Sequence, residues 1–258
     1  MMTPAPPRRT IVAGGSEQAW MCGIAKHLSA NGSRMKRRLY LSLWASALLL
    51  SLGAVAIACG GGLSEAKRHN NRGDELAQEG RFEEAISEFG EAIELDPNTT
   101  EFRAMVYFNR GRAHAELGNF EEAVADFDKS IEADPVPPNP YISRGSAYLQ
   151  LGDVQQAVTD FSRAIALDPT AYLAYNNRGR VYALAGDIEL ALADLDKAIE
   201  LDLNNPLAYQ NRGLLYAAIG DIGQAVADLQ AALSLTTDPD ASAQIARLID
   251  QTEALRGQ

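Results

Sequence analysis

Between residues 66 and 239 one pattern of small, apolar and polar positions recurs along the chain. Gly73, Gly111, Gly145, Gly179 and Gly213 are separated by 38, 34, 34 and 34 residues, and Gly80, Gly118, Gly152, Gly186 and Gly220 follow each by seven. A fixed period of this size marks a repeat architecture. Ala85, Ala123, Ala157, Ala191 and Ala225 are followed four residues later by Phe89, Phe127, Phe161, Leu195 and Leu229, and three later again by Ala92, Ser130, Ala164, Ala198 and Ala232. Steps of four and three stay on one helical face, so each repeat is predicted to carry an amphipathic second helix. The second glycine of each unit is predicted to end a first helix in the left-handed conformation. The first glycine and the recurrent alanine lack bulk and let the paired helices approach closely. Asp-Pro at 96/97, 134/135 and 168/169 closes the second helix, because a residue before proline is driven from helical geometry. The first helix begins with polar residues, Lys67 to Arg72, as an exposed end of a stack requires. At the other end Asp238 as N-cap and Pro239 as first helical residue begin a last helix, with Ala241, Ile245, Leu248, Ile249, Thr252 and Leu255 on one side.

These hairpins resemble the tetratricopeptide repeat (TPR) family over residues 66–239. The resemblance implies an all-α fold, a right-handed α-solenoid of five helix-turn-helix units (66–99, 104–137, 138–171, 172–205 and 206–239) closed by a capping helix within 240–258. It also implies a concave groove that holds a protein or an extended peptide. Leu203 and Thr237 stand where the earlier repeats have proline, and Thr100 to Arg103 are four extra residues after the first repeat.

Ahead of the repeats, Met35-Lys36-Arg37-Arg38 precedes an uncharged run from Leu39 to Ala58, then Cys59 and three glycines. A basic start, an apolar stretch and small residues describe an export signal over 35–58, with its basic side left in the cytoplasm. Ala56-Ile57-Ala58-Cys59 resembles a bacterial lipoprotein signal, in which Cys59 would become the lipidated first residue. A run of about 20 apolar residues also suffices to span a bilayer uncleaved, and an ordinary cleaved signal is the third reading. All three put the repeats outside, in the bacterial cell envelope, joined by a short linker at 59–65. Residues 1–34 show no sustained periodicity; they are a disordered tail or an artefact of a start codon that is really Met35.

Charge divides at the same boundary. Of 23 Lys or Arg and 34 Asp or Glu, residues 1–58 hold seven and one, so the remaining 200 residues carry a net charge of −17. So acidic a domain repels polyanions, which argues against nucleic acid as a partner. Of the two cysteines, Cys22 and Cys59, only the second lies beside the repeats, so no intramolecular disulfide can staple them.

Counted from the first residue of each unit, position 6 holds Asn71, Asn109, Ser143, Asn177 and Asn211. The resemblance places this position on the groove, where an amide both donates to and accepts from a ligand's backbone; the alternative is that these amides only cap or solvate the first helix. By the same analogy the groove is polar early (Lys67, Asn70, Asp74, Gln78, Arg112, Glu116) and apolar late (Leu173, Leu184, Leu207, Leu214, Ala217, Ala218). The expected ligand has a polar segment on the first repeats and an apolar segment on Leu184 and Leu214. The alternative is that those leucines pack between helices. The chaperone-binding branch of the family needs lysine and arginine where this chain has Asn70, Asn139 and Ser143, so capture of chaperone C-termini is not expected.

Position 7 is always arginine (Arg72, Arg110, Arg144, Arg178, Arg212) and position 23 always acidic (Glu88, Asp126, Asp160, Asp194, Asp228). A guanidinium beside apolar positions needs a fixed anion, so Arg-carboxylate pairs between the two helices of each unit are predicted. No phosphate-binding loop, metal-ligand cluster or nucleophile motif occurs, His69 and His114 are isolated, and neither enzyme activity, a cofactor nor a small-molecule substrate is expected. The sequence thus indicates a membrane-tethered scaffold that binds through its groove. The alternative is a structural subunit of an envelope complex that uses convex or edge surfaces.

Overall fold

The computed structural model describes residues 64–95 and 99–255. The expected export segment, Cys59, the preceding tail and the last three residues lie outside the described residues. The described residues form eleven helices and no strand. These are α1 (64–78), α2 (Phe82–Leu95), α3 (Thr100–Glu116), α4 (Phe120–Ala133), α5 (Asn139–Gln150), α6 (Val154–Leu167), α7 (Tyr172–Ala185), α8 (Ile188–Leu201), α9 (Pro206–Ala218), α10 (Ile222–Leu235) and α11 (Pro239–Ala254). From α3 on, each helix packs on the next, and the odd-numbered helices α3, α5, α7 and α9 also touch one another in series. The first helices of the hairpins therefore line one face of an α-solenoid.

Both glycines of each repeat do what their spacing predicts. Gly80, Gly118, Gly152, Gly186 and Gly220 have φ between 76° and 85°. The residue after each donates its N–H back to the first helix, as Asp153 does to the Tyr148 carbonyl at 2.9 Å, which closes the cap. The other set marks a close approach. A Cβ built on Gly111 would lie 2.8 Å from Phe127 and 3.2 Å from the Ala123 carbonyl, and one on Gly179 would lie 2.9 Å from Leu195. Ala85, Ala123, Ala157, Ala191 and Ala225 are fully buried at these crossings, as are Phe127, Phe161, Leu195 and Leu229.

Helix ends depend less on proline than the sequence suggests. Asp134, Asp168 and Asp202 each stop a second helix, and the last does so ahead of Leu203. Each accepts a hydrogen bond from the backbone N–H two residues on, at 3.1, 2.9 and 3.1 Å, an Asx turn that competes with the helix and works without proline. Residues Thr100 to Arg103 add a first turn to α3, which at 17 residues exceeds the 12 to 14 of α5, α7 and α9. Four residues make about one turn, and this one buries Phe102 against Ala66, Leu76 and Val106. At the far end the Asp238 carboxylate accepts from the Ala241 N–H at 2.7 Å. Ile245, Leu248 and Ile249 then cover Leu229 and Ala232. Leu255 is exposed, contrary to expectation, since the 16-residue α11 outruns the 14-residue α10 beneath it.

Candidate binding groove

Two adjoining cavities open along the first three repeats. One, about 420 Å³, is lined by Asp74, Gln78, Asn109, Arg112 and Glu116 over a floor that includes Phe82 and Phe89. The next, about 260 Å³, shares Arg112 and Glu116 and continues over Phe120, Ile142, Ser143 and Ser146. Phe82 and Phe120, which begin second helices, are lining residues that sequence reasoning missed. Their signal was available, an apolar residue recurring three places before the buried alanine of each repeat.

The position-6 amides do not form a free ladder. Asn109 donates to Asp74 at 3.0 Å and to Asn70 at 3.4 Å, both in the preceding repeat. Asn211 donates to the Asn176 carbonyl at 2.8 Å, Asn176 in turn donates to Asn177, and Asn177 reaches Ser146 at 3.5 Å. These amides tie neighbouring first helices together, and that reduces what they can offer a ligand. Asn71 is exposed on α1. Asn70 and Asn176 are buried, so Asn70 is no open groove residue.

The late leucines stand in solvent. Leu173 is 38% exposed, Leu184 74%, Leu207 52% and Leu214 39%. Leu184 and Leu207 are mostly uncovered, while Leu173 and Leu214 are more than half covered.

Behind the groove the predicted ion pairs form in four repeats of five. Arg110, Arg144, Arg178 and Arg212 each grip the buried Asp126, Asp160, Asp194 or Asp228 through Nε and Nη2 at 2.7 to 2.9 Å. The paired carboxylates raise the pKa of each of these arginines. The first repeat departs: Arg72 pairs with Glu75, and Glu88 is taken by His69 at 2.6 Å. His69 occupies the place held by Tyr107, Tyr141, Tyr175 and Tyr209 in the other repeats, so an imidazole nitrogen meets the carboxylate first.

The arginines also make a contact the sequence analysis missed. The Nη1 of Arg144, Arg178 and Arg212 reaches Asp128, Ser162 and Asp196 on the second helix of the preceding repeat. Each of these guanidiniums also stands over two tyrosines of its own helix, Arg144 at 5.7 Å from the Tyr141 ring and 6.0 Å from Tyr148.

A tetratricopeptide repeat sequence profile matches residues 70–138 and 142–206, and a second one matches 207–239. The chain belongs to the tetratricopeptide repeat family. No curated protein matches it in sequence. Among solved structures the chain is similar to the MamA protein, at 26% identity and a TM-score of 0.56, covering 66% of this chain and 91% of that one. It is similar in fold to a thermophilic TPR protein of Thermus thermophilus, at 23% identity and a TM-score of 0.61, covering 70% and 97%. YrrB, described as a TPR protein with an unusual peptide-binding site, aligns at 22% identity and a TM-score of 0.53, covering 75% and 97%.

The TPR fold is typical of protein-protein interaction scaffolds. Among the described residues no group of three or more His, Cys, Asp or Glu could hold a metal ion, and no helix is long and apolar enough to cross a membrane.

Proposed function

We propose that this TPR protein is a scaffold that holds a protein or an extended peptide along α1, α3, α5, α7 and α9, tethered to a membrane on its extracytoplasmic side. The observation that carries the groove reading is the four exposed leucines on α7 and α9, together with two cavities on the first repeats that set polar side chains over apolar floors. Single exposed leucines are common, but a run of them on neighbouring helices marks an interaction surface. A partner with a polar segment followed by an apolar one matches this order, and YrrB supplies a precedent for peptide binding on the same fold. The amides of Asn71, Asn109, Asn177 and Asn211 serve the partner through whatever capacity their inter-repeat bonds leave.

The test is crosslinking in envelope membranes of full-length wild type against the Leu184→Ala, Leu214→Ala double variant. Loss of the major crosslinked partner with the helical content unchanged supports the groove. A partner retained by that variant and lost on Leu190→Ser, on the second helix of the same hairpin, would place binding on the outer helices instead.

Tethering rests on Lys36 to Arg38, the uncharged run Leu39 to Ala58, and Cys59. Mass spectrometry of the membrane-fraction protein should find a lipidated Cys59 at the mature N-terminus. An intact segment would make the tether a signal anchor, and recovery of the protein only outside the membrane fraction would remove the tether from the reading.

A further inference from the structure

Four buried aspartates of this protein and one half-buried aspartate differ in their partners. Asp126, Asp160, Asp194 and Asp228 each face an arginine across a two-point ion pair. Asp74, at the wall of the larger cavity, has no such partner. Its two oxygens accept from neutral amides, Asn70 at 3.2 Å and Asn109 at 3.0 Å, and no cationic nitrogen among the described residues reaches ion-pair distance. Arg112 lines the same cavity but lies over the Phe108 ring at 5.9 Å. Glu116 adds a second carboxylate to the lining, and Ala77, Phe82 and Phe89 supply an apolar floor.

We propose that this cavity takes the cationic side chain, lysine or arginine, of an extended partner lying in the groove, with Asp74 as its counter-ion and Glu116 as a second carboxylate. The inference rests on the groove reading above and adds the partner's chemistry. A long basic side chain lays its methylenes on apolar surface and carries its charge to the end, which matches Ala77 and Phe82 followed by Asp74. Burial pushes the Asp74 carboxyl above its ordinary value, against the pull of Asn70 and Arg112; a bound cation relieves that cost. The net charge of −17 beyond residue 58 steers cations toward the array as a whole. The cavity volume, about 420 Å³, lies within the range of pockets that enclose a ligand group.

The probe is a random dodecapeptide library displayed on phage and selected on the full-length protein in detergent. Selected sequences should carry Lys or Arg at a fixed place. In the synthetic peptides, exchanging that residue for norleucine should weaken binding about tenfold, the scale of a charge-assisted hydrogen bond. Asp74→Asn should abolish the tenfold difference and bind the norleucine peptide as wild type does. Glu116→Gln, at an exposed position, should reduce the difference and keeps the test readable if Asp74→Asn misfolds. Glu121→Gln, an exposed carboxylate on α4, should leave it intact; an equal loss there would mean diffuse attraction to an acidic surface and overturn the pocket. Peptides indifferent to norleucine but weakened by Leu184→Ala would also overturn the pocket and leave the groove standing. A library that yields no binder, or binders insensitive to every groove substitution, would remove both readings.

Discussion

Arg144 holds Asp160 by two parallel bonds, Nε to Oδ2 at 2.8 Å and Nη2 to Oδ1 at 2.7 Å, with the aspartate buried. The two residues lie 16 apart on α5 and α6. The remaining edge of the same guanidinium reaches Asp128 on α4, 16 residues in the other direction. One side chain thus joins the hairpin internally and joins it to its predecessor.

Removing the carboxylate leaves that guanidinium among two tyrosines and the apolar hairpin with its inner partner gone. Breaking a buried pair from one side costs on the order of 3 kcal/mol. Asp160→Ala should lower the urea midpoint accordingly, whereas Arg72→Ala, whose Glu75 partner is exposed, should cost less than about 0.5 kcal/mol. Equal losses in the two variants would show that the interior pair has no special weight.

The two glycine sets fail for different reasons. In Gly111→Ala the new methyl meets Phe127 at 2.8 Å and the Ala123 carbonyl at 3.2 Å, so α3 and α4 must separate. Overpacking of this kind costs about 1–3 kcal/mol. Gly118→Ala meets no atom within 4 Å, but φ is +79° there, and the left-handed conformation costs a side chain about 1–2 kcal/mol. Asparagine tolerates that region, so Gly118→Asn should recover part of the loss while Gly111→Asn should recover none. Equal rescue at both sites in thermal unfolding would refute the distinction.

The inter-repeat contact of the arginines is missing at one joint, and the gap has a sequence cause. Position 25 holds Asp128, Ser162 and Asp196 in repeats two to four, and Gly90 in repeat one. A Cβ built on Gly90 finds a single neighbour, Arg110 Nη1 at 3.9 Å. Gly90→Asp should therefore supply the absent outer partner and stabilise the protein by about 0.5–1 kcal/mol, combining improved helix propensity with a partly exposed ion pair. Gly90→Ala separates the two contributions. An aspartate no better than alanine, or one whose gain survives Arg110→Ala, would count against the contact.

What the sequence disclosed and what it hid follow from the range of the interactions. Gly111, Phe127 and Asp126 were legible because each acts within one hairpin, where helical periodicity fixes which side chains meet. The bonds of Asn109 to Asn70 and Asp74 were not foreseen because these partners belong to another repeat, and the lateral offset between first helices is not written in any one period. Asp128 and Asp196 were missed for the same reason, although their constant distance of 16 residues before an arginine was visible. In repeat one the rule failed on a local substitution, His69 for tyrosine, which redirects Glu88. For Leu184 and Leu214 the sequence offered two readings, groove or packing, and it could not show that the first is 74% exposed and the second 39%.

His114 replaces the tyrosine that stands over the arginine in later repeats, at Tyr148, Tyr182 and Tyr216. Its Nδ1 is buried without a hydrogen-bond partner, and its Nε2 lies 4.0 Å from the Asp126 carboxylate already held by Arg110. Burial lowers its pKa below the ordinary 6.5, with Arg110 acting in the same direction and Asp126 and Glu122 opposing. The unfolded chain therefore binds this proton more readily than the folded one, and stability rises with pH through the window between the two values. The contribution is complete above pH 6.5 and is lost as pH falls through the lower, folded value. His114→Tyr gives Arg110 a second aromatic partner beside Tyr107 and removes the titration. Urea unfolding from about pH 7.5 to about pH 5, a span that brackets the ordinary histidine value, should show the wild type losing stability faster than the variant, with the other histidines common to both. Parallel pH profiles would mean that the protonated imidazole is accommodated, and that the unpartnered Nδ1 finds an acceptor in solution.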